Sequence, residues 1–154
     1  MDTNYFRAGA GSVIYNEAGE VAWFRRVAHP AGVWQFQQGG IDAGEEPEDA
    51  LWRELSEEVG LTQESIERID VYPRWTLYEY PDMSARPGCL GQVHRWWFLK
   101  LAPGVVIDLT RATSHEFDEW RFTTFPEAIA ETNELKRHVY EELFGYFRAV
   151  KGAL

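Results

Sequence analysis

The chain has 154 residues, of which 45% are hydrophobic and 15% aromatic, and its formal net charge is −10 at pH 7. This length and apolar content predict a single domain, residues 1–154, with a closed hydrophobic core. The acidic charge argues against non-specific binding to duplex DNA, because such binding needs a basic surface that neutralises phosphates. A phosphate-bearing ligand would therefore need a few local cations or a metal ion.

Cysteine content and hydropathy indicate the compartment. Cys89 is the one cysteine of the sequence, so an internal disulfide is excluded, and no Cys/His spacing indicates a zinc site. The N-terminal segment lacks a basic stretch followed by an apolar one, and no apolar run approaches the roughly 18 residues of a membrane span. We therefore expect a cytoplasmic protein that does not enter a membrane.

The first half of the chain has the pattern of strands separated by turns. Residues 8–15 and 21–26 are rich in apolar side chains and flank a turn at residues 16–20, which predicts a β-hairpin. Residues 34–36 predict a further short strand, which ends before a pair of glycines.

A helix is predicted over residues 47–59. Pro47 suits an early helical position, and the acidic residues around it complement the positive end of the helix dipole. Gly60 is suited to end the helix.

The second half returns to strand patterns and ends in another helix. The strand patterns cover residues 68–80, 92–101 and 119–123. One helical stripe near the C-terminus is formed by Leu135, Val139, Leu143 and Phe147. Strands with two interspersed helices predict an α/β or α+β sandwich.

The helix at residues 47–59 carries three acids on one face. At about 100° per residue, Glu54, Glu57 and Glu58 lie together beside the apolar face of the helix. Like charges at this spacing repel each other, and a divalent cation would remove that repulsion. Carboxylate oxygens suit Mg²⁺ or Mn²⁺. Periodicity alone leaves two interpretations open, a solvated acidic face and a metal site.

The spacing of residues 39–61 is more specific than their charge. The segment GGIDAGEEPEDALWRELSEEVGL fits the pattern G-x5-E-x7-R-E-U-x-E-E-x-G-U at every specified position, where U is an aliphatic residue. With ordinary amino-acid usage, a chance match has a probability of about one in 10⁹ per start position. The segment resembles the signature of the Nudix hydrolase family.

This resemblance implies a fold, a cofactor and a reaction. The fold would be a Nudix-type α/β/α sandwich with a mixed central sheet, and water would attack one phosphorus of a nucleoside diphosphate derivative. Glu54, Glu57 and Glu58 would be catalytic and would bind Mg²⁺ or Mn²⁺, with the Gly39 carbonyl as a further ligand. Arg53 and Glu45 match positions that form a structural ion pair.

The resemblance continues along most of the chain. Segments such as FRAGAGSVIYNEAGEVAWFRR, CLGQVHRWWFL and SHEFDEWRF look like the subgroup of bacterial RNA 5′ pyrophosphohydrolases and plant-type diadenosine tetraphosphate hydrolases. Glu116 would be an additional metal-binding or catalytic acid. The expected substrate contacts are Arg7, Arg26, Lys136, Tyr78 and Gln38. The chain departs from the subgroup at Gln37, Arg95 and Leu135, where proline, lysine and an aromatic residue are usual.

Several other side chains have two interpretations. Tyr78 could stack on a base or fill a core or rim, and the resemblance favours stacking. The run Trp96-Trp97-Phe98 is expected in the core. Because Arg25 and Arg26 alternate across a strand, at most one faces a cleft, and the resemblance favours Arg26. The histidines at 94, 115 and 138 are expected to be surface or satisfied polar residues, and Cys89 a small buried side chain.

Two kinds of function follow as hypotheses. The first is a metal-dependent pyrophosphohydrolase of 5′-polyphosphorylated RNA ends or of diadenosine tetraphosphate, with ADP-ribose or dNTPs as alternative substrates. The second is a non-catalytic nucleotide-binding or regulatory module. The presence of Glu54, Glu57 and Glu58 favours the enzyme.

Overall fold

A computed structural model describes residues 3–28 and 31–150. Within these ranges, eight strands form one mixed sheet. The strands are β1 Tyr5–Tyr15, β2 Val21–Arg26, β3 Trp34–Gln35, β4 Gln37–Gly40, β5 Ile66–Val71, β6 Thr76–Glu79, β7 Cys89–Leu101 and β8 Phe117–Thr123. The helices are α1 Pro47–Val59, α2 Phe125–Glu131 and α3 Glu134–Val150.

The sheet is centred on a long parallel pair. The strand order is β3-β2-β1-β7-β5, while β4 pairs with β1, β6 with β7 and β8 with β2. The β1 and β7 strands run parallel, and the other strand pairs are antiparallel. Parallel neighbours need a long connection, and the chain between β1 and β7 contains β2 to β6 and α1.

Helices cover both faces of the sheet. Successive residues of β1 point to opposite faces, so Val13 and Tyr15 belong to one buried cluster and Ile14 to the other. The first cluster, the aromatic core, packs against α2 and α3 and includes Trp23, Phe36, Trp96, Phe98, Phe125, Tyr140 and Phe147. The second, the α1 core, includes Leu51, Leu55, Val59 and Leu99. The arrangement is the expected α/β/α sandwich with a mixed sheet.

The structure confirms most of the predicted elements. The hairpin, α1, the strand at residues 119–123 and the buried run Trp96-Trp97-Phe98 are present. The predicted strand region 68–80 is divided between two strands, β5 and β6, and β5 begins two residues before the region, at Ile66. The C-terminal stripe is a core stripe, in which Val139, Leu143 and Phe147 are buried and Leu135 is partly buried.

The expectation of two helices was wrong, because a short helix, α2, precedes α3. Its start is marked by a capping box, in which Thr124 accepts from the Glu127 backbone N–H and Glu127 accepts from the Thr124 backbone N–H. Pro126 occupies the first turn. The signal is present in the sequence as T-x-x-E with an early proline. Among the described residues, no helix is long and apolar enough to cross a membrane.

Candidate active site

The α1 helix is fixed at both ends, and this orients its acidic face. Pro47 opens the helix, with Glu48 and Asp49 in the first turn. Gly60 ends it at φ 75°, and its N–H donates to the carbonyls of Leu55 and Ser56. A left-handed residue at this position favours glycine because it carries no Cβ. The buried stripe against the sheet then turns the acids toward β4.

Strand β4 lies directly beside the acids of α1. A Cβ built on Gly39 would lie 2.3 Å from the Cδ atom of Glu54, so only a glycine leaves space for this carboxylate. Two residues earlier on the strand, the Gln37 side-chain Nε2 donates to Glu58 Oε1 at 3.3 Å. The glycine of the signature and the carboxylates of α1 therefore form one wall.

Glu58 is the buried member of this wall, with 4% of its surface exposed. Burial raises its pKa well above the usual value, and the neighbouring carboxylates of Glu54 and Glu116 raise it further. Its Oε2 atom is buried without a hydrogen-bond partner. Positive charge close to this oxygen would therefore stabilise the ionised form.

Arg53 joins the preceding loop to the acidic face. Its Nε and Nη2 donate to the two carboxylate oxygens of Glu45 at 2.8 and 2.9 Å, and Nη2 also donates to the Gly40 carbonyl at 2.9 Å. Nη1 donates to Glu54 at 2.8 Å and to Glu57 at 3.3 Å. Arg53 lowers the pKa of Glu45 to about 2. The expected Arg53–Glu45 ion pair is confirmed, and Arg53 also contacts two of the candidate metal ligands.

These side chains form one wall of an open cleft of about 420 Å³. The cleft brings together most of the residues that the sequence indicated. Those that line it are Arg7, Arg26, Gln38, Gly39, Glu54, Glu57, Glu58 and Glu116. Residues from β1, β2, β4, α1 and the segment before β8 thus meet at one place.

Two adjacent arginines of β2 have separate roles, as their alternation predicts. Arg26 lines the cleft, where its Nη2 lies 3.9 Å from Glu116 Oε1. Arg25 forms ion pairs with Asp118 and Glu119, each at 2.9 Å. Strand β2 therefore places one positively charged side chain in the cleft, and Arg7 of β1 contributes another.

Tyr78 lies in the aromatic core. Its side chain is 4% exposed and belongs to the aromatic core, where its ring stacks on His94 with centroids 5.9 Å apart. In β6, Thr76 and Tyr78 are buried while Leu77 and Glu79 are exposed. The strand alternation turns Tyr78 inward, so of its two interpretations the structure shows the core position, and contact with a substrate base stays a prediction.

Lys136 is buried in α3 and does not line the cleft. Its Nζ donates to Gln35 Oε1 at 3.0 Å, and Gln35 does line the cleft. Burial lowers the pKa of Lys136 to about 7, and repulsion from Arg26 adds to this effect. Contact between Lys136 and a phosphate stays a prediction.

His94 is a cleft residue that sequence reasoning missed. It was expected at the surface or satisfied, but it is 2% exposed and its Nδ1 has no hydrogen-bond partner. Burial lowers its pKa to about 3, and the positive charges of Lys136 and Arg7 lower it further, so the ring is neutral at pH 7. A Cβ on Gly9 would lie 2.7 Å from the ring.

His138, by contrast, has an Nε2 partner, the Leu77 carbonyl at 2.8 Å, and Cys89 is buried as expected.

The family is decided by the extent of the sequence match. The family model for the NUDIX domain matches residues 5–143. The chain belongs to the NUDIX family. The resemblance inferred from residues 39–61 is confirmed, and the protein is a Nudix hydrolase that acts on phosphorus-containing acid anhydrides.

Curated relatives of this Nudix chain share more than a third of its residues. The RNA pyrophosphohydrolase of Shewanella sediminis is 37% identical over 152 residues, which cover 96% of this chain and 87% of the relative. The RNA pyrophosphohydrolase of Acinetobacter baylyi is 39% identical over 147 residues, covering 92% and 87%. These similarities indicate a Nudix pyrophosphohydrolase.

Solved structures support the Nudix fold. A Caenorhabditis elegans Ap4A hydrolase in a binary complex has a TM-score of 0.70 at 22% identity, covering 93% of this chain and 98% of that one. The Escherichia coli dihydroneopterin triphosphate pyrophosphohydrolase has a TM-score of 0.72 at 23% identity, covering 91% and 97%. At this level of identity, both comparisons speak for the fold.

Nudix hydrolases generally use divalent metal ions, and the cleft has the donors that such an ion needs. Hard carboxylate oxygens line it, and the buried Oε2 of Glu58 has no partner. Within residues 3–28 and 31–150, no three Asp, Glu, His or Cys side chains are arranged so that they could hold a metal ion. In this structure Arg53 is a partner of Glu54 and Glu57, so a bound cation would compete with Arg53 for these carboxylates.

Proposed function

We propose that this Nudix hydrolase converts 5′-triphosphorylated RNA ends to 5′-monophosphorylated ends in the cytoplasm, with Mg²⁺ or Mn²⁺ as its cofactor. The observation that carries the proposal is the similarity to curated RNA pyrophosphohydrolases over more than nine-tenths of the chain. In this proposal residues 1–154 act as one Nudix domain.

The charge distribution suits a short, charged RNA end. The chain has a net charge of −10, while Arg7 and Arg26 bring positive charge to the cleft. Arginine binds phosphate through two parallel hydrogen bonds, which fixes its orientation. We assign the polyphosphate to these two arginines, and we expect only the first nucleotides to enter the cleft because the rest of the surface repels RNA.

The carboxylates of the wall have different exposures, and we assign their roles accordingly. Glu58 and Glu54 are the least exposed of the cleft carboxylates, at 4% and 14%. We assign them, together with the Gly39 carbonyl, to hold a cation. A bound divalent cation supplies positive charge that stabilises the phosphate oxygens as the anhydride bond breaks. Glu57 and Glu116 would complete the ligand set.

Proton transfer needs an acid that reaches the open part of the cleft. The side chains of Glu57 and Glu116 are 43% and 35% exposed, compared with 14% for Glu54. We assign to Glu57 or Glu116 the acceptance of a proton from the attacking water, because both can reach solvent within the cleft. Hydrolysis then releases the terminal phosphates and leaves one phosphate on the RNA.

A substrate panel tests this proposal. The protein would be incubated with Mg²⁺ and triphosphorylated RNA, diadenosine tetraphosphate, ADP-ribose or dNTPs, and kcat/KM compared. We expect the highest value for triphosphorylated RNA, with a 5′-monophosphorylated product.

The other outcomes of the panel are equally informative. If diadenosine tetraphosphate or another nucleotide gave a higher kcat/KM than triphosphorylated RNA, that compound would be the preferred substrate and the proposal would be wrong. Binding of these compounds without any turnover would favour the regulatory module.

A further inference from the structure

Strand β4 and helix α1 lie in register, so that alternate strand residues meet successive turns of the helix. Gly39 lies against Glu54, and Gln37 lies against Glu58. Residues two apart on a strand are separated by about 6.6 Å, and residues four apart on a helix by about 6 Å along its axis. Glu54 and Glu58 therefore each have one opposing residue on the strand.

Gln37 is part of a buried chain of hydrogen bonds that ends on Glu58. Ser12 pairs with Gln37 across β1 and β4, and its Oγ donates to Gln37 Oε1 at 2.6 Å. The Gln37 Nε2 donates to Glu58 Oε1 at 3.3 Å. The exposed fractions of Ser12, Gln37 and Glu58 are 1%, 0% and 4%.

The donors and acceptors in this chain of hydrogen bonds fix the direction of the Gln37 side-chain amide. A carboxylate accepts hydrogen bonds and does not donate them, so the NH₂ group of Gln37 must face an ionised Glu58. The Ser12 hydroxyl can rotate and donates to the remaining amide oxygen. The carboxylate of Glu58 thus determines which end of Gln37 points at it, and Ser12 satisfies the other end of the amide.

We propose that Gln37 is a positioning residue that, together with Ser12, holds Glu58 by one oxygen and leaves the other oxygen for the catalytic cation. The unpartnered Oε2 of Glu58 on the cleft wall is the observation that points to a ligand. Partners behind a metal ligand orient it and tune its affinity. The inference rests on the proposed function only in taking Glu58 as a ligand of that cation.

The direct test is binding of Mn²⁺ alone to the metal-free protein, measured by titration calorimetry. Gln37→Met keeps the length of the side chain but removes its amide. We expect it to raise the Kd for Mn²⁺ about ten-fold or more. The KM for triphosphorylated RNA at saturating metal should stay near the wild-type value, because Gln37 is fully buried and reaches no substrate.

Ser12→Ala provides a second, milder variant. It removes the hydroxyl that anchors the amide oxygen of Gln37 and leaves Gln37 and Glu58 in place. We expect a smaller rise in the Kd for Mn²⁺ in the same direction. If Gln37→Met fails to fold, the Kd of Ser12→Ala for Mn²⁺ decides whether the proposal stands.

Thr76→Val is the matched control. It also removes a buried side-chain hydrogen bond, the one that Trp96 Nε1 donates to Thr76 Oγ1 at 2.8 Å, and Thr76 does not line the cleft. Its Kd for Mn²⁺ should equal that of the wild type even if its stability falls. A general loosening of the core would instead weaken Mn²⁺ binding in all three variants, and that result would overturn the proposal.

The inference is also overturned if folded Gln37→Met and Ser12→Ala bind Mn²⁺ within two-fold of the wild type. In that case the hydrolysis of triphosphorylated RNA by the wild type still stands. Conversely, a wild type that binds Mn²⁺ but does not hydrolyse RNA would refute the proposed function, while the variants would continue to test the role of Gln37.

Discussion

Helices α1 and α3 each bury one charged side chain beside the same short segment of chain. Glu58 of α1 is 4% exposed and accepts from Gln37, and Lys136 of α3 is 6% exposed and donates to Gln35. Burial raises the pKa of Glu58 and lowers that of Lys136. Both shifts favour the neutral form, because burial penalises charge of either sign.

The two helices differ in what surrounds the buried group. Glu58 faces the cleft among other carboxylates, so the negative charges add. Lys136 lies off the cleft wall, and its contact with the cleft is through Gln35. A divalent cation would favour ionised Glu58, and a bound phosphate would favour protonated Lys136. We therefore expect a ligand of opposite charge to shift each group toward its charged form.

The largest expected effect is on the α1 side. Glu57→Gln removes an acid that reaches the open cleft, so kcat/KM for triphosphorylated RNA should fall by about 10²- to 10⁴-fold. The melting temperature should change little because Glu57 is partly exposed. Glu48→Gln, which removes an exposed acid of the same helix outside the cleft, should retain full activity. Full activity in Glu57→Gln would contradict its assigned role.

A smaller effect is expected on the α3 side. The pKa of Lys136 is about 7 in the folded chain and about 10.4 when unfolded, so the unfolded state binds more protons between these values. Stability should therefore rise with pH in this window, by about 2 kcal/mol from pH 7 to 9.

Lys136→Met should lose this dependence. Urea denaturation of the wild type and of Lys136→Met at pH 7 and pH 9 measures it, and the difference between the two proteins isolates the lysine. If the stability of both proteins changes equally with pH, Lys136 is not buried as a largely neutral amine. The parallel between the buried Glu58 and the buried Lys136 would then fail.

The sequence was sufficient to predict the acidic wall of the site, because the signals that end α1 and the spacing of its acids are both local. The α1 helix has its predicted bounds because Pro47 and Gly60 mark its ends, and its acids face the cleft because helical spacing determines their side. The short α2 helix was missed although Thr124 and Glu127 encode its cap, since seven residues give too little periodicity to recognise.

The burial and the hydrogen-bond partners of some site residues depend on tertiary packing, so the sequence alone did not reveal them. Tyr78 and His94 stack in the interior because β6 and β7 pair, and a single strand pattern does not show which face becomes buried. Gln37 was recognised as a departure from the subgroup, but its bonds to Ser12 and Glu58 depend on residues 25 and 21 positions away. Long-range contacts of this kind follow from the fold and not from local propensity.

The central claim is that the acidic face of α1 is the cation site of this Nudix hydrolase. Titration calorimetry with Mn²⁺ on the wild type, on the triple variant Glu54→Gln, Glu57→Gln, Glu58→Gln, and on Lys136→Met tests it most directly. We predict that the triple variant loses Mn²⁺ binding while Lys136→Met keeps it. Unchanged Mn²⁺ affinity in a folded triple variant would contradict the claim.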